Sequence, residues 1–293
     1  CSMEAAFAEM PLALFSTLAP MGAGAFVILA IAFFTGKFDD DALRRIDRFT
    51  AIPVGLVVVG FIAAFFHLAN PLNAFAVFGG LGGSPLSNEV VAGVVFTVAM
   101  LAYWLWAFLG KMPEGARKGL VAVVAVLGVV FAFFTGMAYM IDTIPSWNTM
   151  AGPVQMVGFS LLGGAAVGVL VLTLAGSADA LKGGSLKTGT LVVLAVGLVL
   201  GLGGFAVQAF GASGMENGLY SGADLLAGAA IAIVCGVACL VGTGVCDTFA
   251  IRGMDGSVAL KVTTGAVVLA VVGILLMRLA FYAMQMSVGL SVL

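Results

Sequence analysis

The sequence predicts an all-α integral membrane protein of eight transmembrane helices, and three observations carry that prediction. The chain has 293 residues, of which 62% are hydrophobic and only 9% charged. Its mean hydropathy is +1.20. Its apolar residues fall into eight long continuous runs separated by short polar connections. A soluble domain carries about 25% charged residues, and a chain this apolar cannot cover its own surface with polar groups. Lipid is the solvent that suits it.

A helix needs roughly 20 apolar residues to cross a hydrocarbon core about 30 Å thick. The runs that meet this length are approximately 11–35, 50–69, 90–110, 119–141, 152–176, 188–210, 225–245 and 262–290. Glycine and proline within them are compatible with membrane helices, where small residues allow close packing. The runs do not alternate with period two, so a β-barrel is excluded. No signal-peptide pattern is read before the first span, which is too long for an h-region. No connection is long enough for a separate domain, so 1–293 reads as one eight-helix unit. The longest connection, about 70–89, is glycine-rich and lacks the Lys-Ser/Thr of a phosphate loop. Gly201-Leu202-Gly203-Gly204 lies mid-span and reads as a helix-packing stripe.

Direction follows from the basic residues. Loop 1–2 holds Lys37, Arg44, Arg45 and Arg48; loop 3–4 holds Lys111, Arg117 and Lys118; loop 5–6 holds Lys182 and Lys187; loop 7–8 holds Arg252 and Lys261. These are eleven of the twelve lysines and arginines. The positive-inside rule places these loops in the cytoplasm and both termini on the outer, periplasmic side of an inner membrane. The twelfth, Arg278, lies inside the last span. A net charge of −2 leaves no basic footprint for nucleic acid.

The chemistry-bearing residues are few. The single histidine, His67, cannot alone supply two axial imidazoles to a haem. Cys235 and Cys239 lie one helical turn apart inside span seven, with Cys246 at its end, and read as small buried thiols rather than cluster ligands. Cys1 is left open. No metal constellation, nucleophile elbow or nucleotide loop is present, so neither a metal nor a haem is expected in this chain.

The ionisable residues near lipid collect at one depth. His67 follows Arg48 by 19 residues, which carries it roughly 28 Å along a helix to the outer interface. Glu89 opens span three and Asp142 closes span four at that same face. Arg278 reaches it from span eight, and Glu216 and Asp224 lie in an outer loop. Tyr139, Trp147, Tyr220 and Tyr282 share that level, while Tyr103, Trp104 and Trp106 mark the inner end of span three. Each has an ordinary reading. His67 can bond a backbone carbonyl, Glu89 and Asp142 can cap helices, Arg278 can snorkel, and the aromatic residues can form interfacial belts. Ionisable groups inside a membrane nonetheless mark function by default. An imidazole and a carboxylate on different spans, beside aromatic walls, suit a quinol, whose oxidation needs two proton acceptors.

At these residues the sequence resembles the membrane-anchor subunit family of dimethyl sulfoxide reductase and related molybdopterin oxidoreductases. The matching pieces are Glu9-Met10-Pro11-Leu12 with Phe15, His67-Leu68-Ala69-Asn70-Pro71 with Ala74, Leu86-Ser87-Asn88-Glu89, and Pro145-Ser146-Trp147-Asn148. They cover the first half of the chain, and Ala69 stands where the family often has Gly. The resemblance implies a haem-free anchor that oxidises menaquinol. Electrons then pass to a ferredoxin-like iron–sulfur subunit and a molybdopterin catalytic subunit on the outer face. It places the quinol-site histidine at His67 and the motif glutamate at Glu89. Arg278, Asp142, Tyr139, Trp147 and Tyr282 join the expected quinol pocket on depth alone. Three other readings are a quinone-reducing anchor working in reverse, a proton-coupled transporter, and a purely structural anchor.

Overall fold

The computed structural model describes residues 2–67, 77–110, 112–218, 220–254 and 256–288. Cys1, Lys111, the Leu68–Ala74 part of the family motif and the end of the expected last span at 290 lie outside the described residues. The described chain forms α1 (Ser2–Ala8), α2 (Met10–Thr35), α3 (Asp40–Phe49), α4 (Ala51–His67), α5 (Pro85–Phe108), α6 (Glu114–Met137), α7 (Ala151–Leu174), α8 (Gly184–Ser213), α9 (Gly222–Gly253) and α10 (Gly256–Ala283). Among the described residues eight helical segments are long and apolar enough to cross a membrane, with α3 and α4 counting as one segment from Asp40 to His67.

Element ends follow local chemistry. Pro11 sits in the first turn of α2, where its missing N–H costs nothing. The Asp39 side chain accepts from the Ala42 amide at 2.7 Å and starts α3. Helix α5 begins earlier than the apolar run suggests. Ser84 caps it through the Ser87 amide, Pro85 occupies the first turn, and Asn88 Oδ1 accepts from the Gly82 amide at 2.8 Å. Glu89 therefore does not open the span; it lies a turn inside it. Helix α9 extends to both sides of the expected 225–245, and α10 ends at Ala283 rather than near 290.

Helices α2 and α7 are the most enclosed, and α2 packs on α4, α6 and α7. Their mutual approach depends on missing side chains. A Cβ on Gly164 would lie 2.2 Å from the Gly24 carbonyl carbon, and one on Gly24 would lie 1.9 Å from the Ser160 oxygen. The backbones thus touch, as small-residue packing in lipid requires. The Ser160 hydroxyl donates to the Pro20 carbonyl at 2.6 Å. The Gly201 stripe has the packing role expected of it, since a Cβ on Gly158 of α7 would meet the Gly201 nitrogen at 2.0 Å.

The two ends of the bundle differ in kind. At one end the Arg117 side chain pairs with Asp47, and Arg45 Nε donates to the Ala175 carbonyl at 2.8 Å. This is the end bearing the basic loops. At the other end, Gln208 Nε2 donates to the Ser146 carbonyl at 3.1 Å. The Met286 amide donates there to the Ser146 hydroxyl at 2.9 Å.

Candidate functional site

Arg278 is the centre of the second end. It is 1% exposed, so it does not snorkel to a headgroup. Its Nε donates to the Ser16 hydroxyl at 2.9 Å and its guanidinium to the Tyr282 hydroxyl at 3.2 Å. The same guanidinium lies 4.2 Å from the Phe281 ring centroid, 4.7 Å from Tyr139 and 5.0 Å from Tyr282. A cation removed from water is stabilised by such ring faces, and the two hydroxyl oxygens accept its N–H groups.

Three of the aromatic residues at this level, Tyr139, Trp147 and Tyr282, pack together around the guanidinium. Trp147 stacks on Phe281 at 5.0 Å and donates from Nε1 to the Phe281 carbonyl at 3.1 Å. Tyr139 meets Trp147, Phe281 and Tyr282 edge-on, and its hydroxyl shares a hydrogen bond with that of Tyr282. Burial, with the Tyr282 hydroxyl beside it, holds the Tyr139 phenol well above its ordinary range. Tyr220 joins no such cluster among the described residues and is 45% exposed.

Glu89 is brought to the same cluster. It is 6% exposed, and its Oε1 has no hydrogen-bond partner among the described residues. Its carboxyl faces the Thr135 hydroxyl and lies within electrostatic reach of Arg278 and Tyr139. A helix cap is solvated and bonded to its own first turn, so the capping role does not apply to Glu89. Ser84 performs it.

His67 stands at the end of α4, with its side chain 39% exposed. Its Nε2 lies 3.6 Å from the Glu9 carboxylate at the start of α2. Seven residues on, the same helix carries Ser16, the partner of Arg278. Two turns of α2 thus link the imidazole to the arginine cage. Between them, Phe15 packs on Phe61 and Phe131, and Phe131 stacks on Phe96 at 5.5 Å.

Asp142 is not part of the buried cluster. It is exposed and accepts from Asn148 Nδ2 at 2.8 Å, which fixes the turn after α6. Residues to which sequence reasoning gave no role are Glu9, quoted only as part of the family motif, Ser16, Thr135, Phe281 and the buried pair Gln155 and Gln208, which hydrogen-bond to each other. The available signal was a polar amide inside each of two apolar runs; a search restricted to ionisable groups does not register it. Among the described residues no group of three His, Cys, Asp or Glu side chains could hold a metal ion. Cys235, Cys239 and Cys246 are free thiols.

The all-helical fold of the described residues agrees with comparisons to known proteins. The family model for the DMSO reductase anchor subunit, DmsC, matches residues 3–284. The YnfH subunit of anaerobic dimethyl sulfoxide reductase from Escherichia coli (strain K12) is 39% identical over 140 residues, which is 48% of this chain and 49% of that one. The C subunit of anaerobic dimethyl sulfoxide reductase from the same organism is 35% identical over 178 residues, 59% of this chain and 61% of that one. The corresponding C subunit from Haemophilus influenzae (strain ATCC 51907 / DSM 11121 / KW20 / Rd) is 33% identical over 146 residues, 50% of this chain and 52% of that one. The alignments thus span about half to three-fifths of these relatives. With a family match over nearly its whole length, an all-helical fold and eight membrane-length helices, this chain belongs to the DMSO reductase anchor subunit family.

Proposed function

We propose that this chain oxidises a quinol, menaquinol by family resemblance, at the end of the bundle that carries His67 and Glu89. It passes the electrons to an iron–sulfur subunit of a molybdopterin oxidoreductase docked on that face. The observation that carries the reading is the gathering of Glu89, Arg278, Tyr139 and Tyr282 from two spans and a connection, with Glu9, the neighbour of His67, two helical turns along α2 from Ser16, the partner of Arg278. Two bases on different helices suit a reductant that releases two protons and two electrons.

In this reading His67 bonds one quinol oxygen and takes its proton, with the Glu9 carboxylate 3.6 Å from its Nε2. Glu89 takes or relays the second proton. Arg278 holds fixed positive charge beside Glu89, and the Tyr139, Trp147 and Tyr282 rings wall the headgroup. Asp142, exposed and committed to a turn, has no part in this step. The basic loops support an orientation with both termini and the site outward, in the inner membrane. The released protons then leave on that side, and the electrons enter the partner. The position of the ionisable cluster at one face disfavours a transporter, whose site belongs near the midplane.

The test is a paired assay on membranes carrying the assembled complex. His67→Ala abolishes quinol-driven reduction of the terminal acceptor and leaves reduction by a soluble artificial donor at the parental rate. Parental quinol-driven turnover in this variant overturns the assignment.

A further inference from the structure

The basic end of the bundle carries a cleft that the quinol reading does not use. It encloses about 590 Å³ between the end of α2, the start of α3 and the start of α6. Lys37, Arg44 and Arg117 line it, with Phe33, Phe34 and Phe38 on its apolar side. Arg117 is 6% exposed and lies 5.6 Å over the Phe33 ring. Its guanidinium pairs with Asp47, yet its Nε has no partner among the described residues. Lys37 and Arg44 are exposed and form no ion pair among the described residues. The acids on the wall are Asp40 and Glu114, and Glu114 is paired with Lys118 at 2.6 Å. Positive charge therefore remains in excess, and one buried N–H is left to donate.

A second cleft of about 620 Å³ adjoins the first across Arg44 and Gly110 and adds Arg48. The surfaces beside both are apolar and open. Phe34 is 57%, Phe108 59% and Leu109 70% exposed, as residues facing hydrocarbon are. A ligand that fits has an oxyanion for the cations and an apolar chain for the rim. Basic pockets between membrane helices at a headgroup level bind anionic lipid heads.

We propose that this cleft is a headgroup site for an anionic phospholipid. Its phosphodiester sits against Lys37 and Arg44, over the buried Arg117 guanidinium, and its acyl chains run down past Phe34. The apolar rim is the reason a lipid, rather than free phosphate, is the occupant. The bound lipid would fix α3 against α6 at the end remote from the quinol cluster.

The full chain, purified in a neutral detergent, is titrated with phosphatidylglycerol and with phosphatidylethanolamine, and bound lipid is counted by native mass spectrometry. Phosphatidylglycerol is expected to bind in preference. Lys37→Gln combined with Arg44→Gln weakens it roughly fivefold for each cation removed. Both side chains are exposed and outside any ion pair among the described residues, so an unchanged melting temperature verifies the fold of the double variant. Arg252→Gln, in a separate groove between α8 and α9, leaves phosphatidylglycerol binding as it was. Equal binding of the two lipids, or parental binding by the double variant, overturns the site. Displacement of phosphatidylglycerol by millimolar inorganic phosphate overturns the lipid as occupant and assigns the cleft to a soluble anion.

Discussion

Arg278 in the last span donates from Nε to the hydroxyl of Ser16 in the first long helix at 2.9 Å. This one bond joins the two ends of the chain across 262 residues of sequence, in a place water does not reach. Ser16 also donates to the Leu12 carbonyl at 2.7 Å, so its oxygen is free to accept from the arginine. Replacing Ser16 by Ala leaves a charged donor buried without that acceptor. A loss of about 1–3 kcal/mol is expected, read as a lower midpoint in detergent-induced unfolding. An unchanged midpoint would mean that the rings alone hold the guanidinium.

Glu89 has a buried oxygen with no partner among the described residues and a position beside Arg278 and Thr135. If it handles a proton, Glu89→Gln keeps shape and assembly but slows quinol-driven turnover by about a hundredfold, the lower range for a lost acid–base group. Asp142→Asn is the contrast. Its side chain serves an exposed turn through Asn148, so turnover in that variant stays within about twofold of the parent, as for an ordinary surface change. Steady-state kinetics on both variants separates a proton-handling group from a structural acid.

The Arg117–Asp47 pair at the basic end is buried, at 6% and 2% exposure. Removing one partner strands a charge. Asp47→Asn therefore costs about 3–5 kcal/mol, whereas replacing both residues by apolar ones of similar volume restores most of the loss. Melting temperatures of the single and double variants give the answer. A double variant as unstable as the single would show that each residue has further partners.

Much of the fold was legible because lipid imposes a length. Eight apolar runs became eight membrane-length helices among the described residues, and Gly201 faced another helix as its place in mid-span suggested. Helix ends were less legible. The start of α5 is set by Ser84 and Pro85, residues of low hydropathy that a search for apolar runs passes over, and this moved Glu89 from the expected opening of the span to a buried position a turn inside it. The sequence pointed to Glu89, Arg278, Tyr139, Trp147 and Tyr282 as candidates, but not to their contacts. Arg278 could equally have snorkelled outward, and only packing against Ser16, Tyr139, Phe281 and Tyr282 turns it inward. Periodicity carries no record of which helices meet, so the partnership of His67 with Glu9 and the enclosure of α2 and α7 emerged from the structure alone.

The most direct measurement places the quinol itself. A menaquinol analogue bearing an aryl azide on its ring is bound to the assembled complex, irradiated, and the labelled peptides of this chain are sequenced. The label is expected on the end of α4 at His67, the start of α5 around Glu89, or the Tyr139–Trp147 and Tyr282 stretches, and it is lost in His67→Ala. Label confined to the opposite end, on the peptides carrying Lys37, Arg44 or Arg117, would contradict the account.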